Sequence, residues 1–206
     1  MILETIVVGD MQVNCYVLAS AKGGKAIVID PGDQEAKIKK VLKAHALTCA
    51  LVVNTHGHID HIGADDAFGV AVYAHARDVA LLKEPSANLS LFLSRAYRVK
   101  SPIYALEEAQ TLTAEGLELQ VIHLPGHTPG GIALLMKRPQ DNIVFTGDSL
   151  FCGSVGRTDF PGADAGVLLH SIKEKLLSLP DDTVVYPGHG PASTIKEEKE
   201  HNPFLQ

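Results

Sequence analysis

Four short apolar runs in this chain end in the same way. ALVVN leads into THGHIDH, LELQVIHL into PGHTPGG, IVFT into GDS, and VVYP into GHG. Each run has the length and β-branched content of a buried strand, and each is followed at once by glycine together with histidine or aspartate. Strands end at the edge of a sheet. The pattern therefore predicts sheets with one edge rich in imidazole and carboxylate, supplied by segments far apart in sequence.

THGHIDH concentrates four of these groups, His56, His58, Asp60 and His61. In an extended segment His56 and His58 point to one side, because side chains alternate with period two. Gly57 between them is expected to leave room where the backbone passes an ion. Asp60 and His61 fall where the chain turns into a helix and can point back to the same place. His127, Asp148 and His189, at the ends of the other three runs, bring the set to seven. Seven donors exceed the four of a tetrahedral zinc site. They suit two ions sharing a carboxylate, roughly 3.5–4 Å apart, an arrangement that activates water and stabilises an oxyanion.

Strands are expected over residues 6–8, 13–18, 25–30, 50–54, 70–73, 117–124, 132–137, 143–146 and 183–186. Helices are expected over 34–46, capped by Asp33, and over 64–68, 77–83, 89–97, 164–179, capped by Asp164, and 194–201. Residues 84–108 are less regular and read as an excursion over the surface. Irregular alternation of strands and helices predicts a layered α/β protein with helices covering sheets.

Composition narrows the function. The net charge is −6 and no Lys/Arg block stands out. Nucleic-acid binding needs clustered positive charge and is not expected. No apolar run approaches the about 20 residues that cross a bilayer, and the N-terminus lacks a signal-peptide pattern, so a cytoplasmic protein is expected. Cys15, Cys49 and Cys152 are scattered, which fits neither a disulfide framework nor a thiolate metal site. Cys152 reads as a small buried residue.

HxHxDH followed in order by GHT, TGD and GHG resembles the metallo-β-lactamase superfamily over essentially the whole chain. The resemblance implies a four-layer αβ/βα sandwich of two mixed sheets with outer helices. It also implies that His56, His58 and His127 hold one metal, that Asp60, His61 and His189 hold a second, and that Asp148 bridges them. The stretches GDSLFCGSVGRTDFPGAD, GHTPGG and VVYPGHGP look like the glyoxalase II-like hydrolases, especially short bacterial members, whose type substrate is S-D-lactoylglutathione. Longer members carry an added C-terminal helical region. Little follows His189 here, so one domain over residues 1–206 is expected.

The expected activity is metal-dependent hydrolysis of a small thioester, glutathione-linked in the type case. The nucleophile would be a hydroxide shared by two divalent ions. Zinc is the first choice, with iron or manganese as alternatives. Asp60 and Asp148 are the expected catalytic carboxylates. Asp30, ending the KAIVID run, is either an acceptor for the outer N–H of a ligand imidazole or a plain turn residue. Arg157 would pair with a substrate carboxylate or with Asp159 or Asp164. A GRTDF-like stretch, here Gly156 to Phe160, also occurs in mononuclear iron persulfide dioxygenases of the superfamily, an alternative that would use His56, His127 and Asp148. Lactonase and phosphodiesterase chemistry are further alternatives. His45, His75, His123, His170 and His201 are given no metal role.

Overall fold

The computed structural model describes residues 1–139 and 142–206. The first half forms a six-stranded mixed sheet from β1 (Ile2–Val8), β2 (Val13–Ala19), β3 (Lys25–Ile29), β4 (Thr48–Val53), β5 (Val72–His75) and β6 (Ile103–Leu106), paired in that order. Strands β1 to β3 run antiparallel, and β3 to β6 run parallel. The second sheet holds β7 (Thr111–Ala114), β8 (Leu117–His123), β9 (Ile132–Arg138) and β10 (Ile143–Gly147). A small ribbon of β11 (Leu150–Phe151) and β12 (Ser154–Val155) follows, and β13 (Val184–Pro187) and β14 (Ser193–Thr194) then complete the sheet in the order β14-β13-β10-β9-β8-β7.

Period two explains the layering. In β3, Ile27 and Ile29 face the space between the sheets, while Ala26 and Val28 face outward to helices. In β9 and β10, Ile132, Leu134, Ile143 and Phe145 face inward, and Ala133, Leu135 and Val144 face the opposite outer layer. Both faces of these strands are buried, so they read as continuous apolar runs rather than alternating ones. Helices α1 (Glu35–Ala44), α2 (Ile59–Ile62) and α3 (Val79–Lys83) belong to the first half, where Ile38, Leu42, Ile59 and Leu82 pack on the first sheet. Helix α4 (Ala165–Ser171) and α5 (Ile195–His201) cover the second sheet through Leu168 and Ile195. The result is the expected four-layer sandwich.

Some local expectations need correction. Residues 89–97 are not a helix. Only a single 3-10 turn, Ser90–Leu93, forms, flanked by left-handed Leu89 (φ 69°) and Ser94 (φ 55°). The excursion over 84–108 ends in β6, an edge strand of the first sheet, so it is partly structural. Asp33 does not cap α1. Its carboxylate accepts from the Gln34 N–H at 2.7 Å, and left-handed Gln34 precedes the helix instead. The strand expected over 70–73 is Val72–His75, placed by its ladder to β6. The helix expected over 164–179 is α4 continued by a π-helical turn, Ile172–Leu176, and its Asp164 cap does accept from Val167 N–H. Helix α5 opens with a reciprocal box between Thr194 and Glu197.

The two sheets are stitched together along one edge. Asn14 N–H donates to the Gly188 carbonyl at 2.7 Å, and its side-chain amide donates to the carbonyls of Pro187 and Gly190. Ile132 N–H donates to Thr55 carbonyl at 2.8 Å. These bonds hold β2 against the end of β13 and the end of β4 against β9.

Candidate metal centre

Strand β4 delivers the chain to His56 and His58, and α2 carries Asp60 and His61. The loop after β8 brings His127, β10 is followed at once by Asp148, and β13 is followed by His189. All seven side chains meet at the stitched edge. Their ligating atoms form three groups: His56, His58 and His127; His56, His61 and Asp148; and Asp60, His61 and His189. Within each group the ligating atoms lie within 4.8 Å of one another. Asp148 stands between the outer two. Its Oδ1 is 3.2 Å from His61 Nε2, and its Oδ2 is 3.8 Å from His127 Nε2 and 3.7 Å from His189 Nε2. Asp60 Oδ2 lies 3.2 Å from His189 Nε2 and 3.6 Å from His61 Nε2.

Hydrogen bonds on the outer side of the cluster set the imidazole tautomers. His127 Nδ1 faces the Arg157 carbonyl at 2.7 Å and must donate to it, which leaves the Nε2 lone pair free. His61 Nδ1 donates to Asp30 Oδ2 at 2.9 Å, which exposes the Nε2 lone pair toward Asp148. Thr55 gives its hydroxyl proton to Asp30 at 2.7 Å, so toward His56 Nδ1 at 3.2 Å it can only accept. His56 Nε2 is then also bare. His58 Nδ1 and His127 Nε2 face each other at 3.0 Å, two nitrogens converging on one point. Oriented imidazoles with an oxygen behind the outer N–H are what a metal site requires.

The electrostatics agree. Burial and neighbouring imidazoles push the pKa of His56 down, and that of His58 down to about 3, so both are neutral and able to ligate. Burial would lower His61 too, but the carboxylates of Asp148, Asp60 and Asp30 outweigh it and raise its pKa well above the usual imidazole value. Burial opposes ionisation of Asp148, yet His61, His189 and His127 hold its carboxyl below the usual range. The surrounding carboxylates thus favour positive charge at His61. His56 Nε2, His61 Nε2 and Asp148 Oδ1 are buried and lack a hydrogen-bond partner. Such groups cost about 1–3 kcal/mol each when left unsatisfied. A cation reached by all three answers that deficit, so the donor set fits divalent metal.

Two residues outside the seven reinforce the site, and sequence reasoning passed over them. Asp78, fully buried at the start of α3, accepts from Gly57 N–H at 3.0 Å, Gly130 N–H at 2.6 Å and Thr128 Oγ1 at 2.7 Å. It clamps the His56–His58 loop to the His127 loop. An aspartate opening a helix carries no motif, so only its neighbours in space reveal the role. Thr55 was visible within the motif, but its bridge between Asp30 and His56 was not. Gly57 does not leave room for an ion: a Cβ there would lie 2.6 Å from Leu81 Cβ, so its constraint is helix packing. Gly188 does crowd the cluster, where a Cβ would lie 2.2 Å from Asp148 Oδ1 and 2.8 Å from His61 Cε1.

Arg157 lies on the wall of the cavity above the cluster, with both arms of its guanidinium on Asp159 at 2.7 and 2.6 Å. Asp164 is occupied as the α4 cap. Cys152 is exposed rather than buried, because the β11–β12 ribbon stands out from the sheet. His123 stacks on His75 at 3.9 Å between ring centroids and stays outside the cluster.

The family model described as the metallo-beta-lactamase superfamily matches residues 8–189. The chain belongs to the metallo-beta-lactamase superfamily. Among curated relatives of this superfamily member, hydroxyacylglutathione hydrolase GloC of Haemophilus influenzae is 36% identical over 209 residues, which cover 98% of this chain and 97% of that protein. Among solved structures, BLEG-1 B3 metallo-beta-lactamase superposes with a TM-score of 0.92 at 38% identity, covering both chains completely. TTHA1623 in a di-iron-bound form superposes at 0.83 with 39% identity, covering 98% of this chain and 100% of that one. No helix among the described residues is long and apolar enough to cross a membrane.

Proposed function

We propose that this metallo-hydrolase cleaves small acyl thioesters, with His56, His58 and His127 holding one divalent cation, Asp60, His61 and His189 a second, and Asp148 both. The convergence of two three-donor groups on either side of one carboxylate, at the floor of an open cavity, carries this reading. Thioester chemistry is supported by the printed name of GloC and by the VGRTDF and VVYPGHGP stretches. Zinc remains the first choice of ion, and the di-iron form of TTHA1623 makes iron a serious second.

Two bound cations would supply a water acidified toward a pKa of about 7 and a Lewis acid for the carbonyl oxygen. The chain's own groups do the rest. Asp60 reaches the cavity and takes the proton of the attacking water as oxygen adds to the thioester carbon. The C–S bond breaks, and the proton passes from Asp60 to the departing sulfur, giving a carboxylic acid and a thiol. A thiol pKa near 8.5 makes the sulfur a good leaving group, so a weak acid suffices. Asp30, Thr55 and the Arg157 carbonyl hold the imidazoles in their ligating tautomers throughout.

Metal analysis and turnover on a panel of thioesters, lactones, phosphodiesters and persulfides test the reading together. Two equivalents of metal with thioester hydrolysis support it, and loss of both in His58→Ala and Asp148→Ala completes the case. Full turnover by a metal-free variant would reject it. Oxygen uptake with glutathione persulfide and one equivalent of iron would point instead to the dioxygenase reading.

A further inference from the structure

The cavity above the cluster has a volume of about 460 Å³ and opens directly on His58, Asp60, His127, Asp148 and His189. That volume suits a small ligand. Its floor is polar, but its walls are built from Met11, Leu93, Phe92, Phe151, Val155 and Phe160. Apart from histidine, Arg157 is the one basic side chain among the described lining residues. Its charge is engaged by Asp159, and its guanidinium carbon sits 4.3 Å from the Phe160 ring centroid. A substrate arm bearing carboxylates finds no unengaged counter-charge on these walls.

The rim is apolar as well. Phe92 is 82% exposed, Leu93 47% and Met11 44%. Exposed apolar side chains clustered at a cavity mouth mark a binding surface. The turn that presents them is constructed rather than slack. Leu89 and Ser94 hold left-handed backbone on either side, which is uncommon for a branched side chain such as leucine. Buried Asn88 accepts from Ser90 N–H at 2.9 Å and donates to the Tyr97 carbonyl at 3.0 Å. The Asn88 carbonyl accepts from Ile59 N–H at 2.8 Å, which ties the turn to the helix carrying Asp60 and His61. Strain of this kind is retained where it positions something.

We propose that Phe92, Leu93 and Met11, with Phe160 opposite, form the seat for an apolar acyl chain, so the hydrolase selects thioesters of hydrophobic acids over those of short hydroxy acids. The proposal rests on the thioester reading for the reaction but not for the seat. A carboxylate product placed at the polar floor directs its alkyl chain along these walls. Each methylene that enters is worth about fourfold in affinity, from ~0.8 kcal/mol per buried CH₂.

The test uses acetate, butyrate and hexanoate as probes of the metal-loaded protein, with dissociation constants from calorimetry. The matching acyl thioesters of one thiol, and the lactoyl thioester, are assayed in parallel. Affinity is expected to tighten by about fourfold per methylene, and kcat/KM to follow. The hexanoate-to-acetate ratio should collapse at least tenfold in a Phe92→Ser, Leu93→Ser double variant, whose changes lie on an exposed turn. A flat series, an unchanged ratio in the double variant, or a higher kcat/KM for the lactoyl than for the butyryl thioester would overturn the seat. A chain-length gradient in binding with no thioester turnover would uphold the seat and sink the thioester reading.

Discussion

Asp30→Asn tests how the outer hydrogen bonds set the imidazole tautomers of the proposed metal centre. Asp30 receives three hydrogen bonds, from Thr55 N–H at 2.7 Å, Thr55 Oγ1 at 2.7 Å and His61 Nδ1 at 2.9 Å. It does so with φ at 48°, a conformation asparagine tolerates, so the backbone stays in place. The amide oxygen of Asn must remain on Thr55 N–H, because the reverse orientation sets two donors against each other. Its NH₂ then faces both His61 Nδ1 and Thr55 Oγ1, and the Thr55 hydroxyl turns its proton to His56 Nδ1. His61 responds by moving its proton to Nε2, where Asp148 Oδ1 at 3.2 Å receives it. That proton occupies the lone pair a cation needs. Restoring the ligating tautomer forfeits one charge-assisted hydrogen bond of about 1.5–3 kcal/mol. The expected loss is therefore about 10–100-fold in metal affinity. Chelator competition on the apoprotein, titrated with zinc or iron, measures it directly. The circular dichroism spectrum should match the wild type and show an intact fold. A variant that binds both cations within twofold of the wild type would refute the tautomer argument.

Three further outcomes follow from the geometry. Gly188→Ala sets a methyl 2.2 Å from Asp148 Oδ1, and it should lower turnover by about 100-fold or more by displacing that carboxylate, measured as kcat beside metal content. Asp78→Ala strips the acceptor from three buried donors and should lower unfolding free energy by at least about 3 kcal/mol, read from urea midpoints. His75, buried beside His123, Glu107, Arg77 and Glu108, has its pKa lowered to about 4 by burial and by His123. The folded state then binds fewer protons than the unfolded state between pH 6.5 and 4, so stability falls as pH drops through that window. His75→Gln should flatten this part of the stability profile, measured as denaturant midpoints across the range.

The layer order was legible because both-sided burial writes itself into composition. CYVLA, AIVI and IVF are apolar at every position, and only a strand covered on both faces reads that way. The short edge strands β6 and β7 escaped notice. Each is only four residues long: Ile103–Leu106 is largely exposed with no alternation, and Thr111–Ala114 alternates over too short a run to stand out, so the neighbouring ladder is what makes them strands. The turn after Leu89 was misread as helix for a related reason. Leu89, Phe92 and Leu93 look like core, yet they face the cavity and its mouth.

The order of residues alone determined which groups would be available: three imidazoles and a carboxylate in one loop, and three more donors at the ends of apolar runs. It did so because strand ends are forced to a sheet edge wherever the run between them is buried. Tertiary structure decided how those groups are used. Asp30, Asp78 and the Arg157 carbonyl lie far in chain position from the groups they orient, and Thr55 acts on its neighbour His56 only because distant Asp30 takes its hydroxyl proton. Which nitrogen of an imidazole keeps its lone pair depends on the atom behind the ring, and that atom arrives only when each half folds, Asp30 reaching His61 from the end of β3 and the Arg157 carbonyl reaching His127 from beyond β12.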